Sequence, residues 1–404
     1  MSPPSITNDE TDCEYPEIYQ VMIVDDSAFI RGAIARAIES DPCLSVAVSV
    51  SNGEQAVRSL QREPVDVIVL DIEMPVMDGL TALPKLKEID GAVQIIMAST
   101  LTQKNAEISL RAMSLGATDY IPKPSSSHEV IGADDFRREL VEKIKALGAL
   151  ARRSGVRESR VRERLPSSPK AVVSPSSSQG RSSQQSVIQK PLPLPPYGEK
   201  RDIILRKDPI NAPNIVAIGS STGGPQALFK VIKDMGTNLP QPIVITQHMP
   251  PAFTAILAEH ISNQCGVLCT EAKEGDVLSA GHYYVAPGDF HMLIESKSTG
   301  PTVKLVKDPP ENFCRPSVDP MLRSVSAIYG RNVLVVILTG MGQDGTRGSD
   351  VVVKAGGSVI AQDEATSVVW GMPGAVASTG LCTAVLPVGE IGGFVRQTAM
   401  RTRP

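Results

Sequence analysis

Short apolar runs recur along two stretches of the chain, separated by segments with helical spacing. In the first stretch, VMIVD (21–25), SVAVSVS (45–51), VDVIVLD (65–71), VQIIMAS (93–99) and DYIPKP (119–124) read as strands. Between them, SAFIRGAIARAIES and NAEISLRAMSLGA place apolar residues at helical intervals. Strand and helix in alternation predict a parallel sheet with helices on both faces. The second stretch repeats the pattern with NIVAIGS (214–220), PIVITQH (242–248), HYYVAPG (282–288), NVLVVILTG (332–340) and GSVIAQD (357–363). Several of these strands end in a Gly-rich or polar loop, the place where parallel α/β sheets bind ligands.

The pattern fails between the two stretches. ARRSGVRESRVRERL (151–165) holds six arginines against two glutamates, and Ser-, Gln- and Pro-rich sequence follows as far as PLPLPP. Such sequence buries too little apolar surface to offset its ordering entropy, so it reads as a linker. No aromatic residue interleaves the arginines, which favours a solvated basic helix over a nucleic-acid patch. The expected organisation is a flexible tail over 1–18, a first α/β domain over 19–145, a linker over 146–210 and a second α/β domain over 211–404.

Composition narrows the picture. The 404 residues suffice for two cores, and 32 Gly and 32 Pro with 4% aromatics suit tight-turned α/β domains. A net charge of -4 does not suggest a nucleic-acid binder. The acidic, polar N-terminus lacks the features of a signal peptide, and no run of about 18 apolar residues offers a membrane span, so the cytoplasm is expected. The six cysteines are scattered. Cys265 and Cys269 lack a second ligand pair, so reduced thiols are expected and not a metal site.

In the first domain, Asp25 and Asp26 follow one strand and Asp71 ends another. Ser99 and Thr100 end a third, and Lys123 follows the short strand before Pro124. These groups converge on one sheet edge, where clustered carboxylates repel unless a cation joins them. Hard oxygen ligands favour Mg²⁺, and a carboxylate can act as nucleophile toward phosphorus. The competing reading is a set of separate, solvated loop acids.

VDDSAFIR, LDIEMPVMDG, the hydroxyls after IIMA and LGATDYIPKP resemble the response-regulator receiver family over 20–145. The resemblance implies a flavodoxin-like, five-stranded doubly wound domain phosphorylated on Asp71. It implies Mg²⁺ held by Asp25, Asp26, Asp71 and the backbone carbonyl of Glu73. Ser99, or Thr100 beside it, matches the switch hydroxyl, Lys123 the phosphoryl-binding lysine and Tyr120 the aromatic switch.

In the second domain, IVAIGSSTGGPQAL reads as a strand, a Gly-flanked turn and a helix start. Its backbone N–H groups could cradle a phosphate, or Ser221 could be a nucleophile on a tight turn. The run lacks a Walker lysine, which weakens the phosphate reading. A serine nucleophile needs a base and the base an orienter. Of five histidines, His248 alone ends a strong apolar strand, and Asp344 sits in the Gly-rich loop of LTGMGQDG. Asp344 could equally be a turn-forming Asp-Gly.

GSSTGGPQAL, ITQHMPPAFT, EGDVLSAGHYYVAPGDFHM, RPSVDPML and LTGMGQDGTRG together resemble the catalytic domain of the chemotaxis protein-glutamate methylesterase family over about 212–395. The resemblance implies a parallel α/β sheet with Ser221 as nucleophile, His248 as general base and acid, and Asp344 as orienting acid. It makes the Met341 N–H an oxyanion donor and gives Thr222 a part in positioning the histidine. Implied substrates are γ-glutamyl methyl esters and glutamines of chemoreceptors, with a chemotaxis histidine kinase as phosphoryl donor and no metal in this domain. It further implies that the unphosphorylated receiver packs over the catalytic cleft. The rival reading is a receiver-linked adaptor whose STGG turn binds a phosphate-bearing ligand without catalysis.

Overall fold

The computed structural model describes residues 18–100, 102–123, 130–153, 203–207 and 211–401. The expected tail, apart from Ile18, and most of the expected linker lie outside these residues, as does His128.

In the first domain, β1 (Tyr19–Val24), β2 (Leu44–Val50), β3 (Val67–Asp71), β4 (Gln94–Ser99) and β5 (Asp119–Pro122) form a parallel sheet in the order β2-β1-β3-β4-β5. Every residue of β3 and β4 is buried, because central parallel strands are covered on both faces. The covering helices are α1 (Ala28–Glu39), α2 (Gly53–Leu60), α3 (Gly79–Ile89), α4 (Gln103–Ser114) and α5 (Val130–Arg153). Side chains alternate between two cores: Met22, Val24, Ile68 and Leu70 on one face, Val21, Ile23, Val67 and Val69 on the other. Helices begin where short polar side chains satisfy free N–H groups. Asp78 accepts from Thr81 N at 2.7 Å and Asn52 from Gln55 N at 3.0 Å.

The boundary expected at 145/146 falls inside α5. Leu147 and Ala151 are buried, and Arg152 Nη2 lies 2.8 Å from Asp66 Oδ2. Residues 146–153 therefore belong to the first domain, and the arginine run begins within a packed helix. Residues 203–207 lie on the second domain, where Arg206 N donates to Cys382 O at 2.9 Å.

The second domain has seven parallel strands in the order β14-β13-β12-β6-β7-β9-β8. They are β6 (Ile215–Ser220), β7 (Ile243–Gln247), β8 (Leu268–Glu271), β9 (His282–Val285), β12 (Val333–Ile337), β13 (Ser358–Gln362) and β14 (Ala384–Leu386). An antiparallel hairpin, β10 (His291–Lys297) and β11 (Gly300–Val306), stands apart from the sheet. Helices α6 (Gly224–Met235), α7 (Pro251–Cys265), α8 (Val318–Tyr329), α9 (Thr346–Lys354), α10 (Met372–Ser378) and α11 (Val388–Ala399) complete the domain.

The two domains share apolar layers. Tyr120 of β5 stacks on Phe253 of α7 with ring centroids 4.4 Å apart. Gln226 Nε2 donates to Ala117 O at 2.9 Å, and Arg153 pairs with Glu364 at 3.1 Å. Met341, Val368 and Val369 join the cluster that holds Leu140, Ile144 and Leu147 of α5. The first domain thus packs on the edge of the second that carries Met341. Among the described residues no helix is long and apolar enough to cross a membrane.

Cys265, Cys269, Cys314 and Cys382 are free thiols. Cys43 departs from the expectation of reduced thiols and is disulfide-bonded. Burial pushes the Cys269 thiol up to about 12, which leaves it a poor metal ligand.

Candidate active site

The STGG turn joins β6 to α6. Ser221 N donates to Thr339 O at 3.0 Å, and Gly224 N donates back to Ser221 O at 2.7 Å, which closes the turn. Gly223 makes this possible. Its φ is +73°, and a Cβ there would lie 2.6 Å from Val368 Cβ. The turn leaves Ser221 at the carboxyl edge of the sheet, beside Gly340 at the end of the neighbouring β12 segment.

His248 follows β7, the other neighbour of β6, and its N–H donates to Ser220 O at 3.1 Å. Its Nε2 lies 2.7 Å from Asp344 Oδ2. Asp344 is buried and holds a full set of donors. Oδ2 also accepts from Val318 N at 2.6 Å. Oδ1 accepts from Ser317 Oγ and Asn312 Nδ2 at 2.8 Å each, from Gly345 N at 2.9 Å and from Asp319 N at 3.1 Å. Burial opposes ionisation of Asp344, but the His248 ring and these donors outweigh it and hold the carboxyl below its usual range. Burial likewise opposes protonation of His248. The Cys314 sulfur and Asp344 overcome it and raise its pKa well above the ordinary value.

The structure therefore brings His248 and Asp344 into contact and sets Ser221 on the adjacent strand end. It does not join Ser221 to the histidine. The second ring nitrogen, Nδ1, faces Cys314 Sγ at 3.3 Å. Thr222 lies beside Ser221 in the same turn. Its hydroxyl is buried without a partner, and its carbonyl accepts from Thr339 Oγ1 at 3.0 Å. Met341 stands at the start of the loop after β12, half-buried against the first domain.

Asn312, Cys314, Ser317 and Asp319 were not singled out from the sequence. Ser317 and Asp319 lie in the RPSVDPML motif, a signal that was available. Gln247 was also missed: its Oε1 accepts from Ser220 Oγ at 2.6 Å and its Nε2 donates to Ser221 O at 2.9 Å, which ties the serine turn to β7.

The carboxylate cluster of the first domain forms as expected. Ligand oxygens of Asp25, Asp26 and Asp71 lie within 4.8 Å of one another. Lys123 Nζ is 2.8 Å from Asp25 Oδ2 and 2.7 Å from Asp71 Oδ1. Burial raises the Asp71 carboxyl to about 6. Lys123 opposes the shift, and the nearby Asp25 adds to it. One ammonium thus serves a cluster of three acids, and the donor set suits a further hard cation. Glu73 is exposed, its side chain paired with Lys104 at 2.9 Å. The Ser99 and Thr100 hydroxyls bond to α4: Ser99 Oγ accepts from Ser109 Oγ at 3.2 Å, and Thr100 Oγ1 from Asn105 Nδ2 at 2.7 Å. Tyr120 is turned to Phe253, and its carbonyl accepts from Lys143 Nζ at 2.7 Å.

Comparison with known proteins identifies the two domains. A family model described as CheB methylesterase matches residues 216–395, and one described as response regulator receiver domain matches residues 21–133. The chain is 57% identical over 390 residues to a protein-glutamate methylesterase/protein-glutamine glutaminase of a group 2 operon from Rhodospirillum centenum, with 95% of this chain and 94% of that one covered. The chain belongs to the protein-glutamate methylesterase/protein-glutamine glutaminase family. A second family member, from Azospirillum brasilense, is 54% identical over 410 residues, covering 99% of this chain and 97% of its own. Among solved structures, the Thermotoga maritima CheB methylesterase catalytic domain is 42% identical and covers 46% of this chain and 98% of that chain, with a TM-score of 0.45. Membership in this family, with a receiver domain in front, makes the chain an enzyme and sets aside the reading of a non-catalytic adaptor.

Proposed function

We propose that this protein removes methyl groups from γ-glutamyl methyl esters of chemoreceptors, and deamidates their glutamines, under control of phosphorylation at Asp71. The observation that carries the reading is the His248–Asp344 pair, its carboxylate buried and fully hydrogen-bonded, one strand away from the Ser221 turn.

Ser221 Oγ attacks the ester carbonyl carbon as His248 takes the serine proton. The tetrahedral oxyanion is met by the Met341 N–H. Collapse breaks the C–O bond, and His248 gives its proton to the departing methanol. Water then attacks the acyl-enzyme, His248 takes a water proton, and the glutamate leaves as Ser221 recovers its hydrogen. Asp344 holds the ring and stabilises the imidazolium. A glutamine side chain follows the same path and releases ammonia. Thr222 acts beside the nucleophile as a positioning group.

In the receiver, Asp71 attacks the phosphorus of a donor, a chemotaxis histidine kinase. Mg²⁺ held by Asp25, Asp26, Asp71 and the Glu73 carbonyl would neutralise charge on the phosphoryl oxygens. Lys123 and the hydroxyl of Ser99 or Thr100 hold those oxygens. Turning the hydroxyl inward draws it from α4, and Tyr120 then leaves Phe253, which loosens the domain contact. The chain works in the cytoplasm, where receptor tails and kinase meet. Its domains run from Tyr19 to Arg153 and from about Asn211 onward.

The test is methanol release from methylated receptor fragments, with and without Mg²⁺ and acetyl phosphate. The donor is expected to raise the rate, and with Asp71→Asn the donor should no longer change it. No release under any condition would sink the esterase reading.

A pH dependence follows from His248. The ring must be neutral to accept a proton, and its pKa lies above the ordinary value of about 6.5. Without donor, kcat/KM is therefore expected to rise with pH, with the midpoint of the acid limb above about 6.5. A midpoint at or below that value would contradict the pairing. The same raised pKa adds stability that is full below about 6.5 and fades as pH climbs through the raised value.

A further inference from the structure

The nitrogen that a serine needs on His248 is occupied. Nε2 faces the ionised Asp344 at 2.7 Å, so in the neutral ring Nε2 carries the hydrogen and Nδ1 carries the lone pair. Nδ1 is therefore the atom that must take the Ser221 proton. Cys314 Sγ sits on it at 3.3 Å, so the sulfur occupies this nitrogen whichever of the two carries the hydrogen.

Cys314 is held there by an unusual turn. Asn312 and Phe313, directly before it, have φ of 52° and 63°, left-handed values that residues with a Cβ adopt at a cost. Reciprocal backbone bonds close the turn, Cys314 N to Glu311 O at 2.9 Å and Glu311 N to Cys314 O at 3.2 Å, and two side chains brace it from outside. From one side, Asn312 Nδ2 bridges Asp344 Oδ1 at 2.8 Å and Asp319 Oδ2 at 3.0 Å. From the other, Phe313 leaves the catalytic domain altogether. Its side chain is 79% exposed, yet the guanidinium of Arg138, on α5 of the receiver, lies over its ring at 4.1 Å from the centroid. One turn of three residues thus touches the receiver, the histidine and the aspartate.

We propose that the Asn312–Cys314 turn couples the receiver to the catalytic histidine, with Cys314 masking His248 Nδ1 while Arg138 holds Phe313. When phosphorylation loosens the receiver, Arg138 leaves Phe313, the left-handed turn relaxes and Cys314 withdraws. Nδ1 is then open to Ser221. This goes beyond steric cover of the cleft, because the donor-free enzyme is also switched off within its own triad. It rests on the esterase reading above and names a regulatory residue of the same site.

Alkylation of Cys314 tests it without turnover. The full-length protein is treated with iodoacetamide, and labelling of the Cys314 peptide is followed by mass spectrometry. Mg²⁺ with acetyl phosphate is expected to speed labelling at Cys314 by about fivefold or more, within the span of ordinary coupling between sites. Arg138→Gln, with no donor, should do the same. In methanol release, Cys314→Ala is expected to raise the donor-free rate by about fivefold or more, narrowing the response to the donor. Cys314→Ser keeps a polar atom on Nδ1 and should keep that rate low, and thermal melting of each variant checks its fold. Labelling unchanged by both the donor and Arg138→Gln would overturn the proposal. So would a Cys314→Ala protein whose donor-free and stimulated rates fall together, since the thiol would then support the base. Absence of methanol release from every protein would instead count against the esterase reading, while the labelling still decides the role of the turn.

Discussion

Ser221→Ala is expected to lower the rate of methanol release by on the order of 10⁵-fold, as loss of a triad serine does in other hydrolases. The fold should hardly notice. The backbone bonds that shape the turn, Ser221 N to Thr339 O and Gly224 N to Ser221 O, do not involve the side chain. The removed hydroxyl also lies apart from the His248 ring nitrogens, which face Asp344 and Cys314. Stability is therefore expected to stay within about 0.5 kcal/mol of the parent. Loss of rate with an unchanged melting curve assigns the effect to chemistry. A variant that kept a tenth of the parent rate would remove Ser221 as nucleophile and leave His248 and Asp344 to activate water directly.

The parts of this molecule legible in its sequence are those where burial and backbone geometry leave few alternatives. All five receiver strands and five of the seven strands of the second sheet stand where the apolar runs place them. The exceptions lie at edges. β8 exposes Leu268, and the three residues of β14 are only half-buried, so neither forms the continuous apolar run of a central strand. The β10–β11 hairpin pairs antiparallel outside the sheet, and an alternation of strand and helix gives no reason to expect it. The end of the receiver was missed for another reason. Arg152 and Arg153 read as the start of a solvated run, but they terminate a packed helix, paired with Asp66 and Glu364.

The site divides along the same line. Strand ends fix Asp25, Asp71, Ser221 and His248, so the topology alone brings them to two edges. What surrounds them depends on loops whose course no periodicity encodes. The turn through Asn312 and Phe313 uses left-handed conformations at residues other than glycine; the asparagine marks such a position only weakly and the phenylalanine not at all. Which nitrogen of His248 meets Asp344, and that Cys314 takes the other, are facts of tertiary structure.

Asp344→Asn is expected to cost roughly 10⁴-fold in kcat, and the reason lies in the donors around the carboxylate. All six groups that approach Asp344 give hydrogens: His248 Nε2 and Val318 N to Oδ2, and Ser317, Asn312, Asp319 N and Gly345 N to Oδ1. An amide can offer an oxygen to only one of these groups. Turning its NH₂ toward Oδ1's partners would set it against four donors, at about 1–3 kcal/mol for each buried group left unpaired. Turning it toward Oδ2's partners conflicts with Val318 N alone and is the arrangement the protein should adopt. His248 Nε2 must then accept, so the ring hydrogen moves to Nδ1 and the lone pair leaves the side open to Ser221. The ring keeps its place but presents the wrong tautomer. The variant should thus fold, with a moderate loss of melting temperature, and the ¹⁵N shifts of His248 should exchange their protonated and unprotonated character. A kcat within tenfold of the parent, or an unchanged tautomer, would show that Asp344 does not set the ring, and the assignment of Nδ1 as the base nitrogen would fall with it.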